Sequence, residues 1–532
     1  MGVGYTLSMA LEGLEGLVVR VECDVALGLP GISVIGMGDA AVVQARDRVR
    51  AALTNSGLQW PGQRVVMSLS PAGVPKAGAG YDLAMVCAML VARNKSPVAQ
   101  ECVKDTVLVG ELGLDGRLRP VPGILPIIVA AGSRGLKRAL IPADNAVEGV
   151  QAAGLTDGVD VLVAENLREV VDWMSNDRKL LTAAEYVELA DLGGATGAGM
   201  DAPSRGGGFH ATMDFADVVS QPEARKAVEV AAAGGHALML SGPPGTGKSM
   251  LAQRLPQLLP PMGQEELVEA AAIHSVSGMR GDLESIFRGQ RPFVAPHHTV
   301  TVAGLIGGGA RPLPGAISLA HHGVLFLDEV AEISRPVLDS LRAPMETRRV
   351  ELVRNKRSVM YPAQFQLVCA ANPCPCGAET DVDCTCRSGD RARYQARLSG
   401  PLRDRIDVFA RTRSNRLALL TNEKEETTAT VRQRVLQAHD RARARWSGVD
   451  KDQGSNCSWL NATVPGKTLR RDYPAEESGM LILQDLLRSG RLSQRSVDRA
   501  LRVSWTLCDL RDAAIPSTED VLDAVDMFSD EL

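Results

Sequence analysis

The apolar positions of this chain fall into short continuous runs separated by glycine-rich turns. Ala237-Leu238-Met239-Leu240, Val324-Leu325-Phe326-Leu327 and Gln366-Leu367-Val368-Cys369-Ala370-Ala371 each predict a strand buried on both faces, the pattern of a parallel sheet. Further upstream, Leu17 to Val25, Val65 to Leu69 and Thr106 to Val109 read as strands. Ala40 to Leu53 and Leu83 to Ala92 read as helices. Near the C-terminus the apolar period lengthens: positions 497, 500, 501, 504, 507 and 508 share one face of a helix opening at Leu492-Ser493-Gln494-Arg495. Arg348 to Met360 alternates around Arg354-Asn355-Lys356, which predicts a β-hairpin with a basic tip. Gly193-Gly194-Ala195-Thr196-Gly197-Ala198-Gly199 and Gly206-Gly207-Gly208 carry the composition of a flexible linker. The expected organisation is an α/β domain over 1–175, a linker over 176–210, a second α/β unit over 211–420 and a helical unit over 421–532.

Chemistry enters at the turns between these runs. Gly242-Pro243-Pro244-Gly245-Thr246-Gly247-Lys248-Ser249 follows the 237–240 strand. This G-x-x-x-x-G-K-[ST] spacing lets backbone N–H groups surround phosphates, brings Lys248 to the β- and γ-phosphates and offers the Ser249 hydroxyl to Mg²⁺. The next strand, Val324–Leu327, ends in Asp328-Glu329. Asp328 is placed to hold the Mg²⁺ shell and Glu329 to orient and polarise the attacking water. ATP and Mg²⁺ are therefore the expected ligands. The 366–371 strand ends in Asn372, a polar group able to bond the γ-phosphate or the lytic water, and it resembles the first sensor of an AAA+ ATPase.

Composition narrows the partners. The 532 residues are 45% apolar and only 4% aromatic, with a net charge of −5. A globally basic nucleic-acid binder is excluded, whereas a local basic stripe is not. No run is long and apolar enough to span a bilayer, and Met1 to Tyr5 lack a secretory signal pattern, so a cytoplasmic location is expected. Of ten cysteines, four lie within 374–386. The spacing C-x-C-x₇-C-x-C of Cys374, Cys376, Cys384 and Cys386 suits a closed structural Zn²⁺ site; the alternative is four reduced thiols in a loop.

The order of these motifs resembles the magnesium-chelatase-like AAA+ proteins. The resemblance sharpens over Arg291-Pro292-Phe293-Val294-Ala295-Pro296-His297-His298-Thr299, Leu305-Ile306-Gly307-Gly308-Gly309 and Asn372-Pro373-Cys374-Pro375-Cys376-Gly377, strings similar to the ComM (or YifB) family. It runs from about residue 3 to the end of the chain. It implies a hexameric ATP-driven helicase that migrates branches in branched or single-stranded DNA, linked to natural transformation and recombination proteins. A chelatase motor and an ATP-dependent peptidase are the rival readings.

The resemblance assigns further residues. In Ser399-Gly400-Pro401-Leu402-Arg403-Asp404-Arg405-Ile406-Asp407, Arg405 matches the arginine that one subunit of a ring offers to its neighbour's γ-phosphate, with Arg403 where the family has leucine; a helix-end salt bridge is the alternative. Arg495 resembles the second sensor on the lid, with Arg499 one turn further on. The 348–360 hairpin matches one that projects toward the ring pore. Six such tips would place Arg354, Lys356 and Arg357 along a phosphate backbone; otherwise they form a solvated hairpin.

Gly110-Glu111-Leu112-Gly113-Leu114-Asp115-Gly116 and the residues after it resemble the protease domain of Lon, a fold of the S5 domain 2-like type. The matching nucleophile segment, Pro75-Lys76-Ala77-Gly78-Ala79-Gly80, has Ala79 near the serine position. The segment matching the catalytic lysine, Pro122 to Ile128, contains no lysine. A Ser–Lys dyad is absent in this register, so a non-catalytic assembly or substrate-binding module is expected, with Lys76 a surface charge. The pairs His297-His298 and His321-His322 receive no role, because adjacent side chains do not readily face one site and no acidic partner is evident nearby.

Overall fold

The computed structural model describes residues 2–36, 38–94, 97–156, 158–192, 213–309, 312–354, 357–379, 382–397, 400–414, 425–447 and 460–528. Its N-terminal part is a seven-stranded sheet of order β3-β4-β2-β1-β5-β8-β9, formed by β1 (Gly2–Glu12), β2 (Glu15–Ala26), β3 (Gly31–Ile35), β4 (Arg64–Ser70), β5 (Thr106–Leu108), β8 (Arg138–Pro142) and β9 (Asp160–Ala164), while β6 (Glu111–Leu112) pairs with β7 (Leu118–Arg119) in a separate small hairpin. β1 and β2 are antiparallel along their whole length, from Gly2 opposite Val25 to Glu12 opposite Glu15. β1, β5, β8 and β9 run parallel, with helices on their faces. The helix Asp82–Asn94 is buried on nearly every side and fills the layer behind β1 and β2. Gly4 permits this contact, since a Cβ there would lie 2.5 Å from the Ala88 carbonyl oxygen.

The second sheet is entirely parallel, of order β11-β14-β17-β10-β18, from β10 (Leu238–Ser241), β11 (Phe293–Val294), β14 (Val324–Leu327), β17 (Gln366–Ala371) and β18 (Val408–Arg411). Every residue of β10 and β14 is buried, as continuous apolar strands covered by helices on both faces must be. Two antiparallel pairs project from this sheet: β12 (Gly307–Gly308) with β13 (Leu313–Pro314), and β15 (Arg349–Arg354) with β16 (Arg357–Pro362). The C-terminal helices Thr428–Trp446, Glu477–Arg488, Gln494–Leu510 and Thr518–Asp526 form the lid. In the third of these, all six positions expected to share one apolar face are buried.

Two expectations change. The segment 176–210 is not linker from its start: Ala183–Leu192 is a helix packed against the helix Ala146–Gly154, with Ala183 buried. The glycine runs from 193 to 208 lie outside the described residues. Lys76 is not a surface charge either. It is 1% exposed, and its ammonium donates to the Pro71 carbonyl.

The helix Gln264–Ser277 joins the two sheets' surroundings. One side packs on the helix Ile124–Ser133 in a shared apolar core containing Ile124, Ile127, Ala270 and Ala271. Gly123 N–H donates to the Ser275 carbonyl at 3.0 Å. Glu148, 9% exposed, accepts from Leu125 N at 2.8 Å and from the Ser275 hydroxyl at 2.5 Å. The β1–β2 turn also reaches β16: a Cβ on Gly13 would lie 3.0 Å from Val359 Cγ1.

Candidate functional site

The phosphate loop leaves the C-terminal end of β10 and enters the helix Lys248–Leu258. Gly245 and Gly247 take φ of +79° and +87°, values that side-chain-bearing residues adopt only with strain. Gly242 is required for a different reason. A Cβ there would lie 2.1 Å from Thr412 Oγ1, because the end of β18 presses on the loop. The Thr246 hydroxyl donates to the Pro243 carbonyl at 2.8 Å and lies 2.6 Å from Thr412 Oγ1.

The three strand tips converge on this loop. Lys248 Nζ donates to the Gly242 carbonyl at 2.6 Å, to the Pro243 carbonyl at 2.7 Å and to Asn372 Oδ1 at 3.1 Å. Burial pulls the Lys248 ammonium below its ordinary pKa, while Asp328 and then Glu329 oppose that fall. Ser249 Oγ donates to Asp328 Oδ2 at 2.8 Å, which pairs the hydroxyl and the carboxylate expected to share Mg²⁺. Asp328 Oδ1 accepts from Glu329 N at 2.9 Å. Glu329 itself is in the left-handed region, φ 48° and ψ 44°, at the sharp turn after β14. Its carboxylate lies 3.1 Å from His298 Nδ1.

The sequence places no acid near the histidine pairs and implies that their adjacent rings diverge. The structure corrects both points. The His297 and His298 rings lie 4.0 Å apart, and those of His321 and His322 lie 3.8 Å apart. His322 has φ 57°, and both of its pair face Glu269, at 3.0 Å from His321 Nε2 and 2.8 Å from His322 Nε2. These three groups are close enough to share a cation. However, His321 Nδ1 accepts from Gln364 N at 2.9 Å, so its Nε2 carries the proton and donates to Glu269. The cluster is thus a hydrogen-bonded clamp. It fastens the helix Gln264–Ser277 to the turn leading into β14, reinforced by His274 Nε2 on the Leu319 carbonyl at 2.8 Å.

Arg405 follows the short helix Gly400–Arg403 and forms an ion pair with Glu346 at the end of the helix Arg342–Thr347. In the single chain it makes a helix-end salt bridge. Arg495 is exposed on the first turn of the lid helix Gln494–Leu510. Arg499, one turn on, is buried; its Nη2 donates to the Asp404 carbonyl at 2.7 Å, beside Arg405. The β15–β16 hairpin has the expected register, ending with Arg354 opposite Arg357. Asn355 and Lys356 lie outside the described residues, as do the side chains of Arg354 and Arg357.

The four cysteines converge. Cys374 and Cys376 sulfurs are 3.3 Å apart, Cys376 and Cys384 3.7 Å, and Cys384 and Cys374 3.6 Å, with Cys386 in the same cluster. Backbone N–H groups, Ala378 foremost, draw the Cys376 thiol down to about 5. Such a donor set can bind a metal. Tyr394, from the helix that follows, had no sequence signal. Its phenol meets the Asn372 N–H and is pushed up to about 12 by burial and then by Glu332.

A parallel five-stranded sheet with this strand order, whose three adjacent tips bring Lys248, Asp328 and Asn372 together under a helical lid, defines a P-loop protein of the AAA+ class. Comparison with known proteins carries this further. The chain matches the family described as magnesium chelatase, subunit ChlI, over residues 214–419, a subunit ChlI model over 21–145 and the ChlI C-terminal model over 425–527. It is 45% identical over 527 residues to a protein of Mycobacterium tuberculosis strain H37Rv, covering 99% of this chain and 98% of that one. It is 35% identical to YifB of Escherichia coli K12 over 99% and 97% of the two chains. It is also 35% identical to competence protein ComM of Haemophilus influenzae over 96% and 94%. The chain belongs to the ComM/YifB family of magnesium-chelatase-like AAA+ proteins. Lon protease 2 of Bacillus subtilis is 31% identical over 104 residues, 19% of this chain and 17% of that protein, in keeping with the Lon-like fold of the N-terminal domain.

Proposed function

We propose that this protein hydrolyses ATP in a ring of identical subunits, a hexamer by family resemblance, and uses the energy to migrate branches in DNA. The observation that carries the ATPase reading is the convergence of Lys248, Ser249, Asp328, Glu329 and Asn372 at one sheet edge. Ser249 and Asp328 would hold Mg²⁺, which would supply charge neutralisation for the β- and γ-phosphates. Lys248 would exchange the loop carbonyls for phosphate oxygens. Glu329 would accept a proton from the attacking water, and Asn372 would orient that water or the γ-phosphate. Arg405 would complete a neighbour's site on leaving Glu346, and Arg495 would reach the phosphates from the lid.

The DNA reading is supported by the hairpin β15–β16, whose basic tip combines Arg354, Lys356 and Arg357. It is also supported by the printed name of the Haemophilus influenzae relative, a competence protein. Recombination proteins are the partners this reading implies, in the cytoplasm. Among the described residues no helix is long and apolar enough to cross a membrane. The test is ATP turnover with and without forked DNA. Stimulation supports the reading, and indifference to DNA contradicts it.

The cysteine loop suits a structural Zn²⁺. Zinc–sulfur bonds of about 2.3 Å in a tetrahedron put sulfurs roughly 3.8 Å apart, and the three sulfur separations found are 3.3, 3.6 and 3.7 Å. The four thiolates would close the coordination shell, leaving the ion a staple for the loop. About one zinc per chain in freshly reduced protein is expected; none would refute the assignment.

The family names favour one second reading, a magnesium chelatase motor. ATP-dependent Mg²⁺ insertion into a porphyrin, with no response to DNA, would establish it instead.

A further inference from the structure

The four-cysteine loop does more than close on itself: it borders the nucleotide site. Cys374 is two residues beyond Asn372, the residue bonded to Lys248. Gly377, at φ +75°, backs onto the phosphate loop, where a Cβ would lie 2.7 Å from Pro244 Cδ. Glu379 Oε1 accepts from Ser414 N at 3.1 Å, two residues past the Thr412 that presses on Gly242 and Thr246. The helix Ser388–Gln395 leaves the loop and sets Tyr394 against the Asn372 N–H, within electrostatic reach of Glu329. Among the described residues the loop is the accessible cluster of thiols, with Cys374 buried in it and half-buried Cys102 lying elsewhere. Cys376 is exposed and Cys384 and Cys386 are half-buried, whereas Cys23, Cys87, Cys369 and Cys508 are buried.

We propose that this loop is a site of reversible oxidation by hydroperoxides, and that its oxidation releases the metal and weakens ATP binding at the adjoining phosphate loop. The proposal rests on the zinc reading given above. Two hydroperoxide molecules take four electrons from the four thiolates. Two disulfides form and two peroxide O–O bonds break. With hydrogen peroxide, four protons from water complete four water molecules, and Zn²⁺ is released. A disulfide holds its sulfurs about 2.05 Å apart, so pairs now 3.3 to 3.7 Å apart must close by more than an ångström. The tetrahedral arrangement cannot survive that closure. The displacement falls on Asn372 at one end and on the Pro244 and Ser414 contacts at the other.

The full-length reduced protein is titrated with hydrogen peroxide while three quantities are followed. These are zinc captured by a chromogenic chelator, affinity for a fluorescent ATP analogue, and the thermal unfolding transition. The expected result is loss of about one zinc and four thiols per chain, with at least a tenfold weaker nucleotide affinity and a retained unfolding transition. Thiol reductant plus Zn²⁺ restores both zinc and affinity. The variant Cys102→Ser/Cys457→Ser responds identically, which assigns the effect to the loop. Zinc and thiol loss with nucleotide affinity unchanged within twofold overturns the proposal and leaves the zinc reading standing. Absence of zinc from the reduced protein removes the zinc reading and the proposal together. Loss of the unfolding transition along with affinity also overturns it, since the effect is then global.

Discussion

His298 Nδ1 lies 3.1 Å from the carboxylate of Glu329, and the two residues lie in the segments that follow two neighbouring strands of one sheet. His298 lies four residues past the edge strand β11, and Glu329 lies two residues past the neighbouring β14. The Glu329 backbone is in a left-handed turn, so its side chain is aimed by this cross-strand contact. Positioning of a water-activating group is worth orders of magnitude in rate when it is lost by an ångström. His298→Ala should therefore lower kcat roughly tenfold or more and leave ATP affinity within about twofold. His298→Asn, which can still donate to the carboxylate, should recover part of the rate. Steady-state kinetics with unchanged kcat in His298→Ala would remove the positioning role.

Arg405 gives a test of the ring. In the single chain it is held by Glu346, and its proposed target belongs to a neighbour. Arg405→Ala should bind ATP normally and lose about a thousandfold or more in hydrolysis, the scale of an arginine finger. Mixing it with Lys248→Ala protein should restore some turnover, because a mixed ring contains composite sites with an intact loop and an intact arginine. Mixed rings without any recovery would place the arginine's role within its own chain.

The hairpin is tested by salt. Each phosphate contact released on single-stranded DNA changes the logarithmic salt slope by about 0.7. Replacing Arg354, Lys356 and Arg357 by alanine should weaken DNA binding, flatten that slope by about 2 if all three meet phosphates, and uncouple hydrolysis from branch migration. Affinity titrations over a range of salt that match the parent protein would assign DNA to another surface.

Glu148 ties the N-terminal domain to the helix Gln264–Ser277 through the Ser275 hydroxyl, while also satisfying Leu125 N–H. Glu148→Ala strands both donors in a buried place, at a cost of about 1–3 kcal/mol. Chemical denaturation should show a lowered midpoint, with the N-terminal domain unfolding ahead of the ATPase core. A coincident, unshifted transition would contradict the proposed tie.

The parts of this site legible in the sequence are those set by short-range rules. β10, β14 and β17 are continuous apolar runs because a parallel sheet is covered on both faces. Asp328 and Asn372 directly follow their strands, and Lys248 closes the phosphate loop after β10, so all three are readable from spacing. The lid helix was equally plain, since Val497, Ala500 and Leu501 recur at helical period and are buried. What escaped depends on backbone conformation and distant packing. Both rings of His321-His322 face Glu269 in a turn where His322 has φ 57°, and their acid lies 52 residues upstream of His321 on another helix. Tyr394 reaches Asn372 only through the path of the cysteine loop. Lys76 reads as a surface charge because no serine nucleophile accompanies it, yet it folds inward onto the Pro71 carbonyl. The helix Ala183–Leu192 was hidden by its closeness to the glycine runs.

In the reading proposed, Glu329 activates water in an ATP-hydrolysing motor that acts on DNA. The most direct measurement is ATP turnover by purified protein and by Glu329→Gln, each with and without forked DNA. The account predicts DNA-stimulated turnover in the parent. In Glu329→Gln it predicts turnover reduced about a hundredfold or more, the scale at which catalytic groups contribute, with ATP still bound. Normal turnover in Glu329→Gln, or parent turnover that ignores DNA, would contradict it.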